Sequence, residues 1–359
     1  MVGLPFVSES ILLSLLIVAA LIIVTFASKK VNIRLLNTIL TCIMVIFIGY
    51  SSYAIILLRS TANTPMDQNS PEDVFALSSY LNREQYGERP LLYGYTYTSD
   101  IVRDANGNPE IKEGKAIWKR VIKNNENEPD KYIVTDHKKD YIYQPELNML
   151  FPRMYSNQSH HVEAYKEWSK DGNKTNKVKV KTNSGIRYVE KPTFAENIRF
   201  FLSYQVNYMY WRYFMWNFAG RQNDIQGHGE LHKGNWITGF SFIDKHIEGE
   251  NLPSDLMNNK GRNVYYMLPL LLGLIGLFYQ AFSGQKGIES FWVTFFLFFM
   301  TGLAIVIYLN QTPYQPRERD YAYAGSFYAF AIWIGMGVLG IYSIIKKYLL
   351  KDRDNSIVA

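Results

Sequence analysis

The chain alternates between long apolar blocks and long polar stretches. Five blocks approach or exceed the roughly 20 residues that a helix needs to cross a hydrocarbon core. They run from Ile11 to Ala27, Leu35 to Leu58, Val264 to Phe282, Phe291 to Leu309 and Tyr323 to Ile345. None holds Asp, Glu, Lys or Arg, as the cost of a charge at the bilayer centre requires. The first block lacks a basic leader, because Met1 to Ser10 contains no Lys or Arg, so it reads as a retained span rather than a signal peptide. Lys29, Lys30 and Arg34 follow it, Lys286 follows the third block, and Lys346, Lys347, Lys351 and Arg353 follow the last. The positive-inside rule makes those three places cytoplasmic. Met1 and the long middle segment then lie outside, and Ala359 lies inside.

Between the second and third blocks the pattern changes period. "NSPEDVFALSSYLNREQYG" predicts a short helix with Ser70 as N-cap, Pro71 in the first turn and Gly87 as stop. "RPLLYGYTYTSD", "DKYIVTD" and "DYIYQ" are β-prone runs, and "KVKVKTNSGIRYVEK" predicts a hairpin turning at Asn183 to Gly185. After Pro192 comes a helix-length run with ten aromatics, broken by Arg199 and Arg212. It suits an interfacial or re-entrant helix in which Trp and Tyr sit at headgroup depth and arginines snorkel; a buried helix of the exterior domain is the alternative.

The expected fold is therefore a polytopic α-helical membrane protein, with about five transmembrane helices, an interfacial aromatic helix and a small α+β extracytoplasmic domain. Its expected parts are two transmembrane helices in 1–58, the α+β domain in 59–192, and the aromatic helix with a polar GRQND loop in 193–262. Three transmembrane helices with an exterior PRERD loop fill 263–347, and 348–359 is a cytoplasmic tail. The expected location is a bacterial inner membrane, with residues 59–262 facing the periplasm.

Composition changes this picture little. The 359 residues are 48% hydrophobic and 15% aromatic, and a mean hydropathy of −0.13 averages two very different kinds of segment. A net charge of +6, much of it in loops and tails, gives no basis for nucleic-acid binding. Cys42 is the sole cysteine, so no internal disulfide can form. No phosphate-binding P-loop, Rossmann glycine pattern or G-x-S-x-G occurs.

Two places carry candidate chemistry. In "GRQNDIQGHGELHKGNW", His228, Glu230 and His232 resemble a metal motif. Gly227, Gly229 and Gly234 argue against the regular helix that would align them, and with no third ligand in view no metal is expected. Asp224 and Glu230 are the better general-base candidates; His160 and His161 have less support. In "LNQTPYQPRERDYAYAG", Arg317 and Arg319 break the positive-inside rule on the expected exterior side. They are candidates to hold a phosphate, with Glu318 and Asp320 orienting them; a salt-bridge clasp locking two helices is the other reading.

The stretches "SSYAIILLRSTANTPMDQNSPEDVFALSSYLNREQYG", "YWRYFMWNFAGRQNDIQGHGE", "NWITGF" and "YLNQTPYQPRERDYAYAGSFYAFAIWIG" resemble a Bacteroidota family of large multi-pass membrane proteins. That family's domain of unknown function (DUF2723-type) is grouped with the protein O-mannosyltransferase-like GT-C glycosyltransferases. The resemblance implies a polyprenyl-phosphate sugar donor, no other cofactor, and a protein or glycan acceptor. It implies too that this chain matches the middle of such a protein. The acidic catalytic loop lies in upstream spans, further parts lie downstream, and no catalytic residue can be assigned here. Arg317 and Arg319 would then neutralise the leaving phosphate, and Arg221, Asn223, Asp224 and His228 would line the acceptor side. A non-catalytic scaffold docking an envelope or secretion partner is the alternative.

Overall fold

The computed structural model describes residues 33–348 apart from 63, 88, 105, 122–130, 170–175, 183–184, 250–251 and 316–319. In chain order the elements are α1 (Ile33–Thr61), α2 (Val74–Leu81), β1 (Tyr93–Gly94), β2 (Ile111–Arg120), β3 (Tyr132–Tyr141), β4 (Met149–Leu150), α3 (Ser159–Ser169), β5 (Asn176–Thr182) and β6 (Gly185–Lys191). A continuous helix at residues 194–218, α4, comes next. It is followed by β7 (Gly220–Arg221), α5 (Ser241–Glu248), α6 (Ser254–Met257), β8 (Asn263–Val264), α7 (Leu268–Ala281), α8 (Gly284–Thr301), α9 (Leu303–Leu309) and α10 (Ala324–Tyr348). The strands form four two-stranded sheets: β1 with β4, β2 with β3, β5 with β6 and β7 with β8.

Two compact units divide the chain. The first takes residues up to 88 together with 111–140; the second takes 89–110 and everything from 141 onward. In the first, α2 begins three residues later than the sequence predicts. Asp73, not Ser70, is its N-cap, accepting from the amides of Phe75 at 2.9 Å and Ala76 at 2.8 Å. Ser70 instead sits in the left-handed region at φ 37°. A carboxylate accepts two amides and also opposes the helix dipole, so Asp73 outcompetes a hydroxyl. Phe75 stacks on Trp118 of β2, at 5.1 Å between centroids, and meets Tyr132 of β3 edge-on. The Lys138–Glu84 ion pair at 2.9 Å ties that hairpin to the turn after α2.

The second unit is organised around α4. Thr193 and Glu196 form a reciprocal capping box at its start, and π-helical turns at Phe201–Trp211 carry it into a last α-helical stretch. Its first half buries Phe200, Tyr204, Tyr208 and Met209 against Tyr165 and Met154. Its second half buries Phe214 and Met215 against Leu270 of α7 and Phe330 and Trp333 of α10. Both halves of the aromatic helix therefore carry a packed face. Arg212 does not snorkel: it is buried, and its guanidinium donates to the Tyr208 carbonyl at 3.0 Å and to the Gly234 carbonyl. Leu202 and Trp211 keep an exposed apolar face.

Among the described residues three helices are long and apolar enough to cross a membrane: Ile33–Thr61, Gly284–Leu309 and Ala324–Tyr348. This suits a helical membrane protein with small sheets. The block at Val264 to Phe282 becomes a helix of only 14 residues, about 21 Å long at 1.5 Å per residue and short of the hydrocarbon thickness. Left-handed Tyr266 and Met267 start it, and Gly284, at φ 77°, follows its end. The block at Ile11 to Ala27 lies outside the described residues.

The short helix crosses α10 closely because glycines face each other. A Cβ on Gly276 would collide with the Trp333 carbonyl and the Gly337 amide, the close backbone approach that small residues permit between apolar helices. Gln280 adds a buried polar tie, accepting from Trp333 Nε1 at 2.8 Å and donating to Ser290 Oγ at 3.1 Å. The long helix Gly284–Leu309 breaks at Gly302, where a Cβ would fall 2.5 Å from the Tyr210 hydroxyl. The break redirects α9 and delivers its end, Asn310, into the protein interior.

Candidate functional site

Asn310 is fully buried in the left-handed conformation, at φ 41° and ψ 58°, which Asn tolerates better than most residues. Its side-chain amide donates to the Pro90 carbonyl at 2.8 Å and the Pro152 carbonyl at 3.0 Å. Its Oδ1 accepts from Gln205 Nε2 at 3.1 Å, and the same nitrogen reaches the Gln311 carbonyl at 2.8 Å. Tyr155 donates to the Asn310 carbonyl, Tyr204 to the Thr312 carbonyl and Tyr323 to Gln311 Oε1.

Two arginines finish α9. Arg89 donates to the Leu309 carbonyl at 2.6 Å, and Arg153 to the Ile307 carbonyl at 2.7 Å. These carbonyls belong to the last turn, where an α-helix lacks donors of its own. Arg153 is completely buried, with its guanidinium 3.6 Å from the Phe151 ring centroid. Burial pushes its pKa down to about 10, which leaves it cationic at neutral pH. Asn197 fixes the Arg153 backbone by accepting from its amide at 2.6 Å and donating to the Phe151 carbonyl at 2.6 Å.

Beyond this hub the segment surfaces at Tyr314, which is 43% exposed. His228 meets its ring edge-on at 5.3 Å, and His160 lies 6.0 Å away. A narrow cleft opens beside it, lined by Tyr204, Tyr208, Met209, Gln226, His228 and Gln315. Gln226 Nε2 donates to the Gln315 carbonyl at 3.3 Å, so the glycine-rich loop and the Asn310–Gln315 segment form one edge. His161, next to His160, is buried and faces Ser156 Oγ at 2.7 Å through Nδ1. Burial, then its neighbour His160, lower its pKa, so it serves as a neutral structural imidazole.

Several expected site residues have other work. Asn223 is fully buried and organises its loop: Oδ1 accepts from the Gly234 amide at 2.8 Å, and Nδ2 donates to the His232 carbonyl at 2.9 Å. It cannot also contact an acceptor. Arg221 lies over the Trp216 ring at 4.1 Å and near Tyr265 at 5.9 Å. Asp224 is exposed beside Gly261. Glu230 accepts from the His228 amide through Oε2 and from Lys233 Nζ at 3.0 Å through Oε1. Those contacts, the amide first, hold its carboxyl down at about 2, which makes it a poor base at neutral pH. No group of three His, Cys, Asp or Glu that could hold a metal occurs among the described residues. Arg317, Glu318 and Arg319 lie outside the described residues, and Asp320 begins the short helical turn Asp320–Ala322.

The described rim can therefore bind through imidazole, phenol and amide groups. Asn310, Gln205, Arg153, Asn197 and Tyr314 are the participants that sequence reasoning missed, and His160 had only slight support from it. A polar residue at the end of an apolar block was the available signal for Asn310 and Gln311.

A family of unknown function (DUF8416) has a model that matches residues 87–202. That stretch includes Arg153, His160, His161 and Asn197 but ends before Gln205 and the Asn310–Gln315 segment. No curated protein and no solved structure matches the chain.

Proposed function

We propose that the chain is part of a membrane glycosyltransferase of the protein O-mannosyltransferase-like, GT-C kind, moving sugar from a polyprenyl phosphate to a protein or glycan outside the cytoplasmic membrane. The observation that carries this reading is the anchoring of Asn310 to Gln315. Buried hydrogen bonds fix this segment from Asn310 onward, Gln226 holds it at Gln315, and Arg317 and Arg319 follow within four residues in the sequence. Guanidinium groups on a fixed base would hold a leaving phosphate with little reorganisation. His228, whose ring meets that of Tyr314 at 5.3 Å, would line the acceptor side. Asn223, engaged within its loop, drops out of the acceptor side, Glu230 with its carboxyl held low drops out as a base, and the catalytic base would come from elsewhere in the assembled protein.

The test is transfer from a radiolabelled polyprenyl-phosphate sugar by the intact membrane protein. Arg317→Ala and Arg319→Ala should each lower transfer by about 10²-fold at unchanged protein level. A second reading, a scaffold in which the PRERD segment is a clasp, is favoured by the same buried network, since such networks also serve rigidity alone. Under it the arginine variants would lose folded protein, and wild type would release no sugar.

A further inference from the structure

The β5–β6 hairpin is fastened by one face and offers the other. In the register Val178 pairs with Val189 and Val180 with Arg187; Val180 is buried. Lys191, which shares that inner face, donates to the Glu146 carbonyl at 3.0 Å and the Asn148 carbonyl at 2.6 Å. Alternation places Lys177, Lys179 and Lys181 on the outer face, across from Glu190, Tyr188 and Ile186 respectively. All six are exposed, Ile186 at 66% and Tyr188 at 60%. Lys179 Nζ sits 5.8 Å from the Tyr188 ring centroid.

We infer that this outer face docks on anionic phospholipid headgroups. Three lysines in one row, about 7 Å apart along the strand, face a single carboxylate, so the face is complementary to a surface of repeated negative charge. A solvated charged face alone would have no use for an exposed isoleucine and tyrosine on the strand opposite the lysines. That pairing of apolar and basic groups belongs at headgroup depth, where a phenol and an alkyl group enter the interface and ammonium groups meet phosphates. The next helix repeats the combination: Phe194, Ile198 and Leu202 line an open depression of about 590 Å³ beside Arg199. Two helices of span length, Gly284–Leu309 and Ala324–Tyr348, belong to the same unit and would bring it to a bilayer. The inference does not depend on the sugar-transfer reading.

The experiment uses the full chain in lipid nanodiscs with Cys42→Ser and an environment-sensitive fluorophore at Ile186→Cys. Discs one-third phosphatidylglycerol should give a blue-shifted emission that pure phosphatidylcholine discs do not. Each lysine replaced by glutamine at 177, 179 and 181 should weaken the contact roughly five-fold, and the triple variant should abolish the shift. If that variant misfolds, raising salt on the wild type supplies the same readout, because headgroup contact must weaken as charge is screened. Emission indifferent to lipid charge and salt would overturn the inference, as would a shift produced by a soluble anionic polysaccharide and not by anionic discs.

Discussion

Asn310 is the position at which a single substitution should report most directly on the hub. Replacing it with alanine removes donors to the Pro90 carbonyl at 2.8 Å and the Pro152 carbonyl at 3.0 Å, and an acceptor for Gln205 at 3.1 Å. At about 1 kcal/mol net for each bond, and with Gln205 keeping its Gln311 contact, the loss is about 2–3 kcal/mol. The backbone at φ 41° adds about 1 kcal/mol for a residue with a Cβ and no compensating local hydrogen bond. Asn310→Ala should therefore cost about 3–4 kcal/mol, and Asn310→Gly about 1 kcal/mol less, since glycine accepts that backbone freely. Asn310→Asp should be worse than either, because it sets a carboxylate against two carbonyl oxygens. Equilibrium unfolding in mixed detergent micelles, followed by tryptophan emission, gives the ranking. An alanine variant within about 0.5 kcal/mol of wild type, or a glycine variant less stable than alanine, would refute the account of the hub.

Gly276→Leu should abolish the close crossing of α7 and α10, with a loss of about 3 kcal/mol or more, read as a collapse of thermal stability in detergent; a stable variant would show that the helices can separate without cost. Glu230 has its carboxyl held at about 2 against an ordinary value of 4.5, so its contribution is present above pH 4.5 and is lost as pH falls from there toward 2. Glu230→Gln should speed amide exchange across Gly227 to Gly234 at pH 7, and the difference from wild type should narrow over that acid window; a difference constant with pH would sink the assignment. Topology is best probed at Tyr314, since the neighbouring Gln315 is buried and bonded to Thr312. In a Cys42→Ser background, Tyr314→Cys should react with an impermeant maleimide from outside the cell, and protection there would reverse the proposed orientation.

The parts legible in the sequence were those fixed by local chemistry. The apolar block at Leu35 to Leu58 is a helix because nothing in it interrupts the pattern, and the lysine–valine alternation at 177–181 is a strand because period two has no other good solution. Where burial rather than pattern decides, the sequence was ambiguous. The aromatic run at 194–218 is apolar on most sides, so the same residues suit an interface or a packed core; in the fold it packs on Tyr165, Leu270 and Trp333, and none is local. The block at Val264 to Phe282 reads as one span, yet left-handed Tyr266 and Met267 hold the start of its helix back to Leu268. The hub was obscured for a related reason. Arg89 and Arg153 meet the end of α9 from positions over 100 residues away, and no spacing rule encodes that meeting. The charges of PRERD drew attention, while the amides five to seven residues earlier carry the buried contacts.

The two arginines at the end of α9 also bear on whether phosphate could bind nearby. A helix C-terminus carries roughly half a negative charge, concentrated on its last carbonyls, and by itself would repel an anion. Here Arg89 and Arg153 donate to the Leu309 and Ile307 carbonyls, so two buried or half-buried cations stand where the dipole ends. Against about half a negative charge their sum leaves the terminus net positive, and in a poorly solvated setting such a field reaches further than it would in water. Capping of this kind does not by itself select a ligand, since any helix end gains from it. It removes the repulsion that a bare helix end would offer to the phosphate of the proposed donor. Removing the Arg153 charge while keeping its bulk, as Arg153→Met would, should therefore weaken donor binding as well as folding, whereas a clasp role alone would predict the folding loss without a change in donor affinity per folded molecule.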